Sequence, residues 1–95
     1  MAERAFYLLT YDIADPKRLV KIAHIMEANG ERVQDSVFEA YLSEEELAKL
    51  VKKALKVMKE EEDSLRVYFL CSACRAKIRC YGRGKVTPPP GLIVV

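Results

Sequence analysis

The sequence predicts an α+β fold, a ferredoxin-like sandwich in which helices cover one face of a sheet. Three observations carry this. Strand-like and helix-like segments follow one another as β, α, β, α, β, β. The chain has 95 residues, a length suited to one domain. Two segments hold a helical hydrophobic period with start and stop signals at their ends. At this size a βαββαβ sandwich is the natural member of the class. Residues 1–82 are expected to form that domain, and residues 83–95 an extension ending in a tail strand on its own or a partner's sheet.

Residues 5–11 are aromatic and aliphatic almost throughout, as in a central strand buried on both faces. Met1–Arg4 and the polar Thr10 and Asp12 make this a strand rather than a signal peptide. Asp15-Pro16 supplies a helix N-cap and a first-turn proline. Leu19, Ile22, Ala23 and Met26 then fall on one stripe, and Asn29-Gly30 predicts a left-handed stop. Residues 31–42 look extended, with a bend, bulge or break into two short strands around Gln34-Asp35-Ser36. Ser43 to Glu46 is a capping box for a long amphipathic helix whose apolar positions run from Leu47 to Met58. Glu60 to Asp63 is an acidic loop. Residues 65–71 and 78–81 are the last predicted strands, and Pro88-Pro89-Pro90-Gly91 spaces the apolar tail Leu92 to Val95. Burying each tail side chain is worth about 1.5–3 kcal/mol, which predicts addition to a sheet edge.

With 16 Lys and Arg against 14 Asp and Glu, basic surface must come from local clustering rather than net charge. No apolar run reaches the roughly 20 residues that span a bilayer, so no membrane partner is expected. The three cysteines, Cys71, Cys74 and Cys80, are an odd set suited to a reducing, cytoplasmic compartment. They lack a fourth ligand for structural zinc. Cys71 and Cys80 are expected to be buried, Cys74 exposed and oxidisable, and His24 a surface residue. No Ser-His-Asp set, phosphate-cradling glycine loop or dinucleotide fingerprint is present, which leaves a metal-assisted hydrolase open.

Asp12 fits two roles: the cap of a turn, or a catalytic acid at the end of a buried strand. Magnesium often takes only one or two carboxylates with waters and phosphates, and a two-fold axis would bring a second Asp12. Lys17, Arg18 and Lys21 on the first turns of the first helix, with Arg32 on the next strand, suit either phosphate binding or a solvated face.

The strings Tyr11-Asp12-Ile13-Ala14-Asp15-Pro16-Lys17-Arg18-Leu19 and Gly30-Glu31-Arg32-Val33-Gln34-Asp35-Ser36-Val37-Phe38-Glu39 resemble the CRISPR-associated protein 2 family. Asp63-Ser64-Leu65-Arg66-Val67-Tyr68 and Lys77-Ile78 before Gly82 continue the likeness in order over nearly the whole chain. The resemblance implies a ferredoxin-like homodimer. It implies a metal-dependent endonuclease acting on single-stranded RNA or double-stranded DNA, with Asp12 of each subunit as catalytic carboxylate and ligand to magnesium or manganese. It also implies a partner, the integrase CRISPR-associated protein 1, two dimers of which are bridged during acquisition of new spacers. Tyr11, Arg18, Arg32 and Phe38 would then line the cleft or support the nucleic acid, with Lys17 and Lys21 added on charge alone. Two other readings stand beside this one. One is a non-catalytic DNA-binding scaffold for the integrase; the other is a small-molecule-binding regulator.

Overall fold

The computed structural model describes residues 3–82, so the extension 83–95 and its predicted tail strand lie outside the described residues. Strand β1 (Ala5–Asp12) is followed by helix α1 (Pro16–Glu27), strands β2 (Glu31–Gln34) and β3 (Val37–Leu42), helix α2 (Glu44–Val57), strand β4 (Ser64–Leu70) and the short helix α3 (Ser72–Ala76). The sheet order is β2-β3-β1-β4 with every pair antiparallel, so β1 is central as its composition predicts. Its residues alternate between two faces. Tyr7, Leu9 and Tyr11 join Phe38, Ala40 and Leu42 of β3 on the helix-covered face. Ile22 and Met26 of α1 and Leu50 and Ala54 of α2 close over them. Each large side chain buried there stabilises the fold by about 1.5–3 kcal/mol.

Both long helices start as their residues dictate. The Asp15 carboxylate accepts from the Arg18 amide at 3.0 Å, with Pro16 in the first turn. The Ser43 hydroxyl accepts from the Glu46 amide at 3.1 Å, while the Ser43 amide donates to the Glu46 carboxylate at 2.9 Å. That second bond holds the Glu46 carboxyl below its ordinary pKa. Residues 31–42 resolve into two strands around an Asp35-Ser36 turn, with the register shifting between Arg32 and Gln34.

Three expectations are corrected. Gly30 is no left-handed stop: among the described residues only Gly82 has a positive φ, 78°. Helix α1 ends at Ala28 in right-handed conformation, and the Asn29 side-chain amide donates to the Ile25 carbonyl at 2.8 Å. Gly30 is needed instead for close approach, since a Cβ there would lie 2.5 Å from the Glu39 carbonyl oxygen and 2.9 Å from the Ala40 Cβ. Residues 78–81 form no strand; they lead out of α3, where the Ile78 amide donates to the Arg75 carbonyl at 3.1 Å. Cys71 and Cys80 are exposed like Cys74, because β4 stops at Leu70 and Cys71 becomes the N-cap of α3. His24 is exposed as expected, and among the described residues no helix is long and apolar enough to cross a membrane.

Gly30→Ala should cost about 1–3 kcal/mol, because the obstructing oxygen is backbone and cannot rotate away. Urea unfolding should show a lower midpoint with an unchanged slope.

Candidate functional site

Asp12 is the last residue of β1 and is exposed, whereas its neighbours Tyr11 and Ile13 are buried. Strand alternation therefore puts Asp12 on the face that the long helices leave open, in line with Leu8 and Thr10. Ser64 of β4 lies opposite it. Arg66 and Tyr68 are further exposed residues of β4 on this face, paired with Thr10 and Leu8.

The chain leaves Asp12 through a loop held by one carboxylate. Asp63 accepts from the Ala14 amide at 2.9 Å and from the Lys59 amide at 2.9 Å, which ties the loop after β1 to the end of α2. The Arg18 guanidinium donates to both Asp63 oxygens, Nε at 2.9 Å and Nη2 at 3.2 Å. Nη2 also donates to Glu62 at 3.1 Å. The Asp63 side chain is wholly enclosed and that of Arg18 is 15% exposed. These hydrogen bonds, the one from Arg18 foremost, hold the Asp63 carboxyl well below the ordinary carboxylate range; the same pairing pushes the Arg18 guanidinium up. Arg18, singled out in the sequence for nucleic acid, is here engaged by two carboxylates and fixes α1 to the loop before β4, beside the strand end that carries Asp12.

A second group gathers where β1 meets β2 and β3. Tyr11 stacks on Phe38 with ring centroids 6.1 Å apart, and its hydroxyl donates to the Asp35 carbonyl at 3.3 Å. Burial pushes the Tyr11 phenol up, and Arg32 partly offsets that shift. The Arg32 guanidinium lies 5.6 Å from the Phe38 ring centroid and pairs with Glu27 at 3.5 Å. Phe38 is fully buried, so its ring supports Arg32 from beneath, while the Arg32 side chain is 46% exposed. Lys17 and Lys21 are exposed on α1. The structure thus joins Tyr11, Arg32 and Phe38 in one cluster and Arg18 in another, with Asp12 alone at the strand end.

Among the described residues, no group of three or more His, Cys, Asp or Glu side chains could hold a metal ion. At the end of β1 one chain offers one exposed carboxylate, a donor set that fits magnesium only where water, phosphate or a second copy completes the shell. Sequence reasoning missed Asp63, which reads as the end of an acidic run. The available signal was its place: a short acid directly before the strand that pairs with the end of β1.

Residues 5–78 match the family model for CRISPR associated protein Cas2. A CRISPR-associated endoribonuclease Cas2 of Synechocystis sp. is 40% identical over 89 residues, covering 94% of this chain and 97% of the relative. Another, from Chloroflexus aurantiacus, is 44% identical over 86 residues, covering 90% and 89%. Streptococcus pyogenes Cas2 superposes with a TM-score of 0.72 at 30% identity, covering 81% of this chain and 99% of that one. A chain from a partial Cas6-RT-Cas1–Cas2 complex gives 0.77 at 25% identity, covering 96% and 99%.

Asp63→Asn should lower Tm by on the order of 10 °C near neutral pH. Between the folded and unfolded pKa values the unfolded chain binds the extra proton, so stability must fall as pH falls. The wild-type advantage should be full above about pH 5 and shrink below about pH 4, the ordinary carboxylate value. Thermal melts of both proteins across this range test it.

Proposed function

The chain belongs to the CRISPR associated protein Cas2 family, and on that premise we propose that it is a metal-dependent endonuclease of CRISPR adaptation whose catalytic carboxylate is Asp12. The observation that carries this reading is the isolation of Asp12: an exposed acid on the open sheet face at the end of β1, directly before a loop tethered at Ala14 to a buried ion pair.

Asp12 would hold magnesium, or manganese in its place, together with Asp12 of a second copy. The open face of the sheet is the surface through which a homodimer would bring the two acids together. A divalent ion bound there lowers the pKa of coordinated water and offsets phosphate charge. The chain's own residues do the rest. Asp63 and Arg18 restrain the Asp12 loop, which preserves orientation without touching the substrate. Arg32, braced on Phe38, and the exposed Lys17 and Lys21 offer cations to the phosphate backbone, where contacts position the strand without reading its sequence. Binding of this kind weakens steeply with salt. The names of the relatives support ribonuclease chemistry, and single-stranded RNA and double-stranded DNA are both substrates to assay.

A second reading has its own support. The complex in which one structural neighbour sits pairs Cas2 with Cas1. On that reading the dimer is a non-catalytic scaffold that binds DNA and bridges two dimers of the integrase during spacer acquisition.

Asp12→Asn separates the two. Its side chain is exposed, so the variant should keep the circular dichroism and elution volume of the wild type. Cleavage of single-stranded RNA and duplex DNA in magnesium should fall to the uncatalysed background, as it should for wild type with a chelator. Undiminished cleavage by the variant overturns the nuclease reading. Spacer acquisition by the variant with the integrase, at the wild-type level, favours the scaffold.

A further inference from the structure

The candidate nuclease site makes no use of the cysteines; Cys74 is exposed as its sequence reading expects, and Cys71 and Cys80, expected to be buried, are exposed as well. Cys71 directly follows β4, and Cys74 lies one turn on in α3; both are exposed. The Cys71 sulfur accepts from the Cys74 amide at 3.4 Å. That amide foremost, and then the neighbouring Cys74 thiol, lower the pKa of Cys71, while the Cys71 sulfur raises that of Cys74. Cys71 lines an open cleft of about 280 Å³ beside Arg4, Phe6, Tyr41 and Arg75, so a small molecule can reach its sulfur.

We propose that Cys71 and Cys74 are a reversible dithiol–disulfide site that takes a low-molecular-weight disulfide of the glutathione class as oxidant. Cys71 caps the helix whose first turn carries Cys74, and its sulfur lies 3.4 Å from the Cys74 amide nitrogen, so side-chain rotation alone can bring the two sulfurs to the roughly 2.05 Å of a disulfide bond. In a reducing compartment such a bond is transient and serves redox response rather than architecture.

The exchange proceeds in two displacements. The Cys71 thiolate forms a bond to one sulfur of the oxidant, breaks its S–S bond and expels one thiolate. Cys74 then loses its proton and attacks the Cys71 sulfur. The protein disulfide forms and a second thiolate leaves. Two electrons pass from protein to oxidant, and the two thiol protons end on the two expelled thiols. The new bond fixes the turn that presents Arg75, whose guanidinium lies 5.6 Å from the Phe6 centroid and 5.4 Å from that of Tyr41. Oxidation therefore acts on the element that covers one end of the open sheet face.

The full chain, reduced and freed of reductant, is incubated with glutathione disulfide, quenched with an alkylating agent and mapped by mass spectrometry. The expected product is an intramolecular Cys71–Cys74 disulfide with Cys80 alkylated, reversed by dithiothreitol. Cys74→Ser should stop at a glutathione adduct on Cys71. Cys71→Ser keeps a good N-cap residue and should form no internal disulfide. Near pH 7, Cys71 of the reduced protein should alkylate about tenfold faster than Cys80. A main product bonded through Cys80, a principal cross-link between chains, equal alkylation of all three cysteines, or stoichiometric zinc on the reduced protein would each overturn the proposal.

Discussion

The Asp63 carboxylate is a full charge removed from water, tolerable only because its oxygens meet two backbone amides and a guanidinium. Each donor comes from a different part of the chain: the loop after β1, the first turn of α1 and the end of α2. Losing one donor leaves the others facing an under-solvated charge, so the three segments move together or not at all. The placement of Asp12, two residues before Ala14, inherits this rigidity. The interaction adds little apolar burial; what it adds is one geometry among the several that the core alone would permit.

The two faces of the sheet divide the work of folding from that of contact with other molecules. On one side, Tyr11 and Phe38 are core residues whose polar reach ends at the β2–β3 turn and at Arg32. On the other, β1 presents Leu8, Thr10 and Asp12 between the exposed flank of β4 and the partly covered flank of β3. Phe6 shows how this open face is closed at one end. It is buried although it points away from the long helices, because Tyr41 and Arg75 cover it. Arg75 of helix α3 and Tyr41 of β3 thus cover one end of a face that farther along presents Thr10, Asp12, Ser64 and Arg66.

Local signals made most of the fold legible. Asp15-Pro16, the Ser43–Glu46 box and the apolar stripe of α2 each sit within a few residues of what they cause, and all appear where the sequence puts them. Asp12 was legible as a strand-end acid for the same reason. What was not legible depends on distant partners. Gly30 suggested a conformational role, whereas its cause is the β3 backbone pressed against it. Asp63 hid in a run of acids because its donors lie elsewhere in the sequence. The last segment failed on composition: Ile78 to Tyr81 alternates like a strand, but the turn out of α3 claims its first amide. The exposed cysteines follow from that same helix, which no periodic pattern five residues long can announce.

The central position of β1 also dictates an order of events during synthesis. Its β3 edge can be satisfied early, once residue 42 has emerged, but its other edge waits for β4, near the end of the described chain. Until then a nascent chain carries a strongly apolar strand with one edge still unpaired. Neither Asp63 nor the β4 partner of Asp12 is yet available to finish that corner. Non-local pairing of this kind is slow and leaves strand edges open to the wrong neighbour. The element that supplies the proposed catalytic acid is therefore among the first made and the last completed.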